Sequence, residues 1–271
     1  MDTTIEVLRR LGGVAASGTL LRAGVTRHAL DLALRGSSLV KVARGVYALP
    51  DADPVAVHAG TYHAVPGCVT AAGKLGLWVV RSPEQPHLTA RHGRPVPGCV
   101  VHRGAVPASV LDVVCQCLRC LPPLEALTIA ESAVKRGKVD LEELRLRFPA
   151  AREQSVRRLL SRVRPQSGSI VETMARYLLE EAGFVVETQV SIPGMGHLDL
   201  MVDSVLGIET DGYASHSSRK DYRDDRRRWN ITVVYGVPTL RITYEMVMGQ
   251  QDEFLAMVRK AVLRYRRAQS A

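Results

Sequence analysis

The sequence predicts a mixed α/β protein that contains more than one domain. Its 271 residues exceed one ordinary small domain and suit two or three. Hydrophobic residues form 46% of the chain and charged residues 23%, a composition that can supply a buried core. Helical and strand-type spacings of apolar residues alternate along the chain, most clearly from Gly168 onward. We therefore expect four regions, at residues 1–50, 51–150, 151–167 and 168–271.

Residues 1–50 carry three short helical patterns followed by two strand-type patterns. Ser17 or Thr19 is placed to cap the second helix, and Thr26 is placed to cap the third. Three short helices and a hairpin form the order of a winged helix, although a three-helix scaffold without a ligand fits the same pattern. The helical patterns are TTIEVLRRLGG, SGTLLRAG and VTRHALDLALRGS, and the strand patterns are SLVKV and GVYAL.

A winged helix would place its third helix in a DNA major groove and its hairpin against phosphates. The third helix should then bury Leu30 and Leu34 and expose the polar residues around them. The candidate DNA-binding residues of this region are Arg27, His28, Arg35, Lys41 and Arg44.

The stretch GGVAASGTLLRAGVTRHALDLALRGSSLVKVARGVYALP, which ends in an RGVY turn, resembles the winged helix of AbiEi-type antitoxins. The resemblance is confined to residues 1–50. It implies that this region binds DNA and takes part in transcriptional control.

Residues 51–150 predict an α+β connecting domain in which no catalytic constellation is recognisable. GCVTAAGKLGLWVV has the pattern of a helix leading toward a strand, and PHLTA and CVVHRG have strand patterns. LDVVCQCLRCLPPLEAL is an amphipathic helical run, and the acidic–basic stretch KRGKVDLEELRLRF follows it.

The cysteines and histidines of this region suggest a zinc site only weakly. The CQCLRC segment has three cysteines but no second pair at metal-ligand spacing, which favours buried thiols over a zinc site. The chain start, MDTTIEVLRR, lacks a basic-then-apolar leader, so we expect free thiols in a reducing cytosol. Surface or core positions are expected for the scattered histidines His58, His63, His87, His92 and His102.

Residues 151–167 read AREQSVRRLLSRVRPQS and predict a basic helix followed by a linker. The arginines fit either a solvated helix face or an approach to phosphate. The sequence leaves both interpretations open.

From Gly168 the spacing predicts elements in the order α-β-β-β-α-β-α. The first helix is opened by Ser169 and Glu172 in the pattern of a capping box and ends at Gly183. The strand patterns are VVETQVSI, HLDLMV, VLGIETD and PTLRIT. The helix patterns are GSIVETMARYLLEEAGF, SRKDYRDDRRRWNITVVYG and, as one final helix, YEMVMGQQDEFLAMVRKAVLRYRRA.

Three carboxylates are predicted to meet on this sheet. Glu209 and Asp211 are two positions apart, so a strand points both to one face, and a short turn brings Asp199 beside Glu209. Like charges held close in a poorly solvated site repel one another unless a cation intervenes. Oxygen ligands of this kind favour Mg²⁺ or Mn²⁺. Ordinary strand-end carboxylates, and a Glu172 that only completes its capping box, are the alternatives.

The pattern of Asp199, then Glu209-x-Asp211, with Glu172 on the preceding helix, resembles the PD-(D/E)XK nuclease superfamily. The extension DGYASH and the arginine-rich helix are most similar to very-short-patch-repair-like endonucleases, over roughly residues 168–267. The resemblance implies an αβββαβα core in which Asp199 and Glu209 bind the metal. It also implies that Glu172 orients a water or completes the metal shell, and that His216 serves as an acid or base.

One position departs from that pattern, since Asp211 stands where the motif has a lysine. Asp211 would then act as a third metal ligand, and Lys220 or Arg223 could supply the missing positive charge. The same change also fits an inactive site. Further DNA contacts are expected in the following helix from Arg219, Arg223 and Arg226.

The chain carries 36 lysine and arginine residues against 27 acidic ones, a net charge of +9 that favours a polyanionic partner. No apolar stretch approaches the ~20 residues that span a bilayer. We expect a cytosolic metal-dependent DNA endonuclease that hydrolyses phosphodiester bonds. The first alternative is a DNA-binding regulator or antitoxin with an inactive nuclease-like domain. The second is an interaction module with a partner encoded in a defence or toxin–antitoxin operon.

Overall fold

The computed structural model describes residues 4–194, 196–210 and 230–269. These residues form helices and three separate sheets, so the predicted mixed α/β class is confirmed. In the described part of the chain no helix is both long and apolar enough to cross a lipid bilayer.

The chain divides into two compact units that are interleaved in sequence. The first contains Met1–Leu121 and Lys138–Pro149, and the second contains Pro122–Gly137 and Ala150–Ala271. In the described residues the first unit has two sheets and the second has one, and each unit is described by itself.

The first unit begins with a three-stranded sheet and three helices packed around leucine side chains. The sheet order is β1-β3-β2, with β3 antiparallel to both neighbours. The strand β1 was not predicted from the sequence. The elements are α1 (Thr4–Arg10), β1 (Val14–Ala16), α2 (Ser17–Arg22), α3 (Arg27–Arg35), β2 (Val40–Ala43) and β3 (Val46–Ala48).

Helix α3 begins at a side-chain cap, whereas α2 begins at a backbone contact with the β2–β3 turn. Thr26 caps α3 as predicted, since its Oγ1 accepts a hydrogen bond from Ala29 N (3.1 Å). The predicted cap of α2 by Ser17 or Thr19 is wrong, because Ala16 occupies the N-cap position without a side-chain bond. Ser17 N donates to Gly45 O (2.7 Å) and so continues the sheet contact into the first residue of α2.

The rest of the first unit is a second small sheet with helices on it. The sheet order is β4-β5-β6, with β4 antiparallel and β6 parallel to β5. No strand follows α5 in residues 76–80, contrary to the sequence pattern. The elements are α4 (Pro54–Thr61), β4 (Ala64–Pro66), α5 (Cys68–Lys74), β5 (His87–Ala90), β6 (Val100–Arg103), α6 (Val110–Cys120) and α8 (Leu141–Leu146).

The predicted cysteine-containing helix is two helices. α6 ends at Cys120, and α7 (Pro123–Lys135) begins one residue after Pro122. Proline lacks the N–H that would continue α6 and is well tolerated in a first helical turn, so the Pro122-Pro123 pair ends one helix and starts the next. α7 belongs to the second unit, while α6 belongs to the first.

The second unit contains a four-stranded sheet of order β10-β9-β8-β7. β7, β8 and β9 form an antiparallel meander, and β10 lies parallel to β9. The predicted final helix is divided at Gln250. The further elements are α9 (Gln154–Leu160), α10 (Ile170–Glu181), β7 (Val186–Ile192), β8 (Gly196–Val202), β9 (Leu206–Thr210), α11 (230–234), β10 (Thr239–Ile242), α12 (Tyr244–Gly249) and α13 (Gln251–Gln269).

A buried ion pair joins α7 to α10 inside the second unit. Arg176 Nη2 donates to Glu131 Oε2 (2.6 Å), and neither side chain is exposed. Thr173 Oγ1 donates to Glu131 Oε1 (2.6 Å), and Arg164 N donates to Oε2 (2.8 Å). Since buried charges need such partners, this network fixes the position of α10, whose first turn carries Glu172.

Candidate functional site

Four polar residues lie side by side across the sheet of the second unit: Gln189, Asp199, Glu209 and Arg241. Arg241 is the direct partner of Glu209 in the parallel β10–β9 pair. The antiparallel registers, continued by one residue, set Asp199 opposite Glu209 and Gln189 opposite Asp199. Directly opposite residues point to the same face of a sheet. We call these four residues the polar row.

Asp199 is held firmly through one of its two carboxylate oxygens. Its Oδ2 accepts hydrogen bonds from Thr210 N (2.8 Å) and Thr210 Oγ1 (2.9 Å). Its Oδ1 has a longer contact, 3.5 Å to Gln189 Nε2. This arrangement orients the carboxylate and leaves Oδ1 able to accept a stronger partner.

Glu172 reaches the polar row from the first turn of α10. Its Oε2 accepts from Gln189 Nε2 (2.9 Å) and from Gly168 N (2.7 Å), and the residue is 5% exposed. Ser169 caps the helix through Glu172 N, but the Glu172 carboxylate bonds Gly168 N instead of the Ser169 N–H that a capping box would use. A Cβ on Gly168 would lie 2.6 Å from Glu172 Oε1, so any other residue there would displace the Glu172 carboxylate.

The charge on Glu172 is disfavoured in this position. Burial, followed by the nearby negative charge of Asp199, raises the pKa of Glu172 to about 7. A group with this pKa can hold or release a proton near neutral pH. A cation bound between the two carboxylates would relieve the same repulsion.

Glu209 and Arg241 lie next to each other at the edge of a surface pocket. Glu209 is 8% exposed, and the pocket is also lined by Thr239 and Tyr265. Sequence reasoning missed Arg241 and Gln189. A lone arginine within the apolar strand pattern PTLRIT was the available signal for the first, whereas Gln189 carried none.

Gln189, whose side-chain amide contacts both Glu172 and Asp199, also has an unusual backbone conformation. Its backbone has φ of +53°, in the left-handed region that non-glycine residues seldom adopt. Such strained conformations persist where surrounding structure enforces them, and they concentrate at functional sites.

Six of the predicted site residues lie outside the described part of the chain. These are Asp211, His216, Arg219, Lys220, Arg223 and Arg226. Their predicted roles as metal ligand, acid or base, compensating cation and DNA contacts stay predictions.

The predicted DNA-binding residues of the first unit are exposed on α3 and the β2–β3 hairpin. Leu30 is 3% exposed, while Leu34 is only partly buried and Leu32 is 60% exposed. The exposed basic residues are Arg27, His28, Arg35, Lys41 and Arg44. A basic face of this kind is the electrostatic footprint expected for phosphate contacts.

A separate set of side chains that can hold a metal ion lies in the first unit. Ligand atoms of Cys68, His87, His102 and Cys120 all lie within 4.8 Å of one another. Within residues 4–194, 196–210 and 230–269, the acidic residues form no such group of three or more. The expectation that His87 and His102 are ordinary surface or core residues missed this cluster. CQCLRC contributes only its last cysteine.

Comparison with models of known protein families and with curated proteins found no match to this chain. The resemblances to PD-(D/E)XK nucleases and to AbiEi-type antitoxins therefore stay predictions.

Proposed function

We propose that the chain is a metal-dependent DNA endonuclease, with the reaction site on the polar row and a DNA-binding module at the N-terminus. The observation that carries this proposal is the position of Asp199, which lies beside the buried Glu172 and on the strand next to Glu209. The negative charge of Glu172, buried next to Asp199, carries a cost in free energy that a bound cation would offset.

The arrangement of elements supports the proposal in both units. In the second unit, helix α10 precedes a three-stranded meander and a parallel fourth strand, as the αβββαβα core requires. In the first unit, three helices and a three-stranded sheet with a β2–β3 hairpin are the parts of a winged helix. Fold alone does not specify activity, so the proposed activity depends on the residues of the site.

The donor atoms suit a hard divalent cation. Asp199 Oδ1 and the carboxylates of Glu209 and Glu172 are oxygen ligands of the kind that Mg²⁺ and Mn²⁺ take. Such an ion, when bound, supplies an activated water and a positive charge that stabilises the phosphodiester transition state. Asp211 would add a fourth carboxylate from beyond the described end of β9.

The remaining residues of the site position groups and supply charge. Thr210 fixes Asp199, and Gln189 ties Glu172 to Asp199 through one amide group. Glu172 would complete the ligand set, because a cation beside it offsets the burial and the Asp199 repulsion that raise its pKa. Arg241, the neighbour of Glu209, brings to the polar row a positive charge of the kind that the motif lysine would provide.

A plasmid-cleavage assay with Mg²⁺, Mn²⁺ or EDTA tests the proposal. Wild type should cleave only with the metal, and Glu209→Gln should lose about 10²-fold or more of the rate, the scale of losing one charge-stabilising group. Glu187→Gln is the matched control, because Glu187 is an exposed carboxylate on the same sheet. Arg241→Met should cleave slowly and still bind duplex.

One observation favours the regulator or antitoxin alternative: the exposed basic face of α3. If wild type binds duplex DNA but cleaves no nucleic acid with any of the metals, the nuclease proposal fails and this alternative stands. Equal cleavage by wild type and Glu209→Gln would also overturn the proposed site.

A further inference from the structure

The cluster of cysteine and histidine side chains in the first unit is assembled from four different elements. Cys68 begins α5, His87 begins β5, His102 lies in β6, and Cys120 ends α6. The parallel pairing of β5 with β6 places His102 opposite Thr89, two residues along the strand from His87. Both histidines therefore lie on one face of the sheet, where the two helix ends meet them.

The distances between ligand atoms are close to those around a tetrahedral zinc ion. His87 Nδ1 lies 3.2 Å from His102 Nε2 and 3.8 Å from Cys120 Sγ. With Zn–N near 2.0–2.1 Å and Zn–S near 2.3 Å, tetrahedral geometry requires roughly 3.3–3.4 Å between nitrogens and about 3.6 Å between nitrogen and sulfur. Both distances differ from the tetrahedral values by only a few tenths of an ångström, and the other pairs of ligand atoms lie within 4.8 Å.

The surrounding structure holds Cys68 in place. Gln116 Oε1 accepts hydrogen bonds from Cys68 N (2.9 Å) and from Thr89 Oγ1 (3.0 Å). A Cβ on Gly67 would lie 2.1 Å from Thr89 Oγ1, so only glycine allows the chain to approach β5 this closely. Cys68 itself has φ of +45°, a strained value for a residue with a side chain.

The chemistry of the four side chains suits metal coordination. A metal binds cysteine as the thiolate and histidine as the neutral imidazole, and a bound divalent cation deprotonates a coordinating thiol. Cys68 and His87 are buried, His102 is partly buried and Cys120 is exposed, so the cluster has one side open to solvent through which an ion can enter.

We propose that Cys68, His87, His102 and Cys120 bind one Zn²⁺ ion in a closed Cys2His2 site. Two thiolates and two imidazoles are soft and borderline donors that select zinc over magnesium or calcium. Four protein ligands leave no open coordination position, so the ion is structural. It links α5, β5, β6 and α6, and its binding free energy stabilises the first unit.

The test is the zinc content of the full-length protein purified without chelators, together with the visible spectrum of Co²⁺-substituted protein. Wild type should hold one zinc ion per chain and, with Co²⁺, show tetrahedral d–d bands and a thiolate charge-transfer band. Cys120→Ser should lose most of the zinc and the charge-transfer intensity, since it removes an exposed ligand with little effect on packing. Cys99→Ser, at a partly buried cysteine outside the cluster, should match wild type.

Thermal unfolding provides a second measurement that is independent of DNA cleavage. A strong chelator should lower the unfolding temperature of wild type and of Cys99→Ser, and should have little effect on Cys120→Ser. If Cys120→Ser does not fold, the Co²⁺ spectrum of wild type decides. Zinc-free wild type without a thiolate–Co²⁺ band, or zinc retained fully by Cys120→Ser, would overturn the site, as would a Cys68–Cys120 disulfide in the purified protein.

Discussion

Glu172 is held at the start of α10 by Gly168 N and Gln189 Nε2, with Asp199 beside it. Its pKa is raised from an ordinary value of 4.5 to about 7, mainly by burial. The folded protein therefore keeps a proton that the unfolded chain releases. This group's contribution to stability is complete below about pH 4.5 and is lost as the pH rises through 7.

We expect the substitution Glu172→Gln to remove this pH dependence. Measured in EDTA, the free energy of unfolding of wild type relative to Glu172→Gln should fall by about 3 kcal/mol between pH 4.5 and 7.5, at about 1.4 kcal/mol per pKa unit. Denaturant titrations at several pH values give the difference. Glu187→Gln, at an exposed position, should run parallel to wild type, and parallel curves for Glu172→Gln would contradict the raised pKa.

At the scale of elements, α3 and the β2–β3 hairpin form the candidate DNA-binding surface. Arg27 lies at the exposed start of α3, and Arg44 lies in the exposed turn between β2 and β3. The buried Leu30 packs α3 onto the core and leaves the basic face in solvent. A helix and a wing presented in this way suit contacts with a groove and with its phosphates.

The double variant Arg27→Ala/Arg44→Ala should bind duplex DNA more weakly. Its plot of log affinity against log salt concentration should lose about 2 units of slope, because each lost phosphate contact releases about one counterion fewer. Fluorescence anisotropy at several salt concentrations measures both quantities. Arg94→Ala/Lys138→Ala, at exposed positions outside α3 and the β2–β3 hairpin, is the matched control. An unchanged slope would assign DNA binding to another element.

At the scale of the molecule, the two units are interleaved along the chain. A single cut therefore releases neither unit whole. α7 lies before residues 138–149 in sequence but packs in the second unit, where Glu131 pairs with the fully buried Arg176. Removing one partner of a buried ion pair costs about 3–5 kcal/mol. That is a large share of the stability of an ordinary domain.

A fragment of residues 150–271 should therefore be much less stable than one of residues 122–271 in which a Gly/Ser linker replaces residues 138–149. The difference should reach about 3–5 kcal/mol in urea unfolding, and Glu131→Ala in the longer fragment should cause a similar loss. Circular dichroism follows both transitions. Equal stability of the two fragments would show that α7 is dispensable for the second unit.

The sequence by itself determined the local features of this protein. The cap at Thr26, the first helix after Ser169 and the four strands of the second unit were predictable, because capping and apolar periodicity act over a few neighbouring residues. The short turn after Asp199 also indicated that its strand and the strand of Glu209 would pair as antiparallel neighbours, as they do. These are properties of adjacent elements. The predicted meeting of Asp199, Glu209 and Asp211 stays a prediction, because Asp211 lies outside the described residues.

Only the tertiary structure decided which distant residues meet. Arg241 joins the polar row because β10 pairs in parallel with β9, and Gln189 joins it through the β7–β8 register. Cys68 and Cys120 come together because α5 packs against both α6 and β5. Glu131 meets Arg176 inside the second unit, although residues 138–149 between them belong to the first. Apolar periodicity specifies which face of an element is buried, whereas the partner that covers that face depends on the packing of the whole chain.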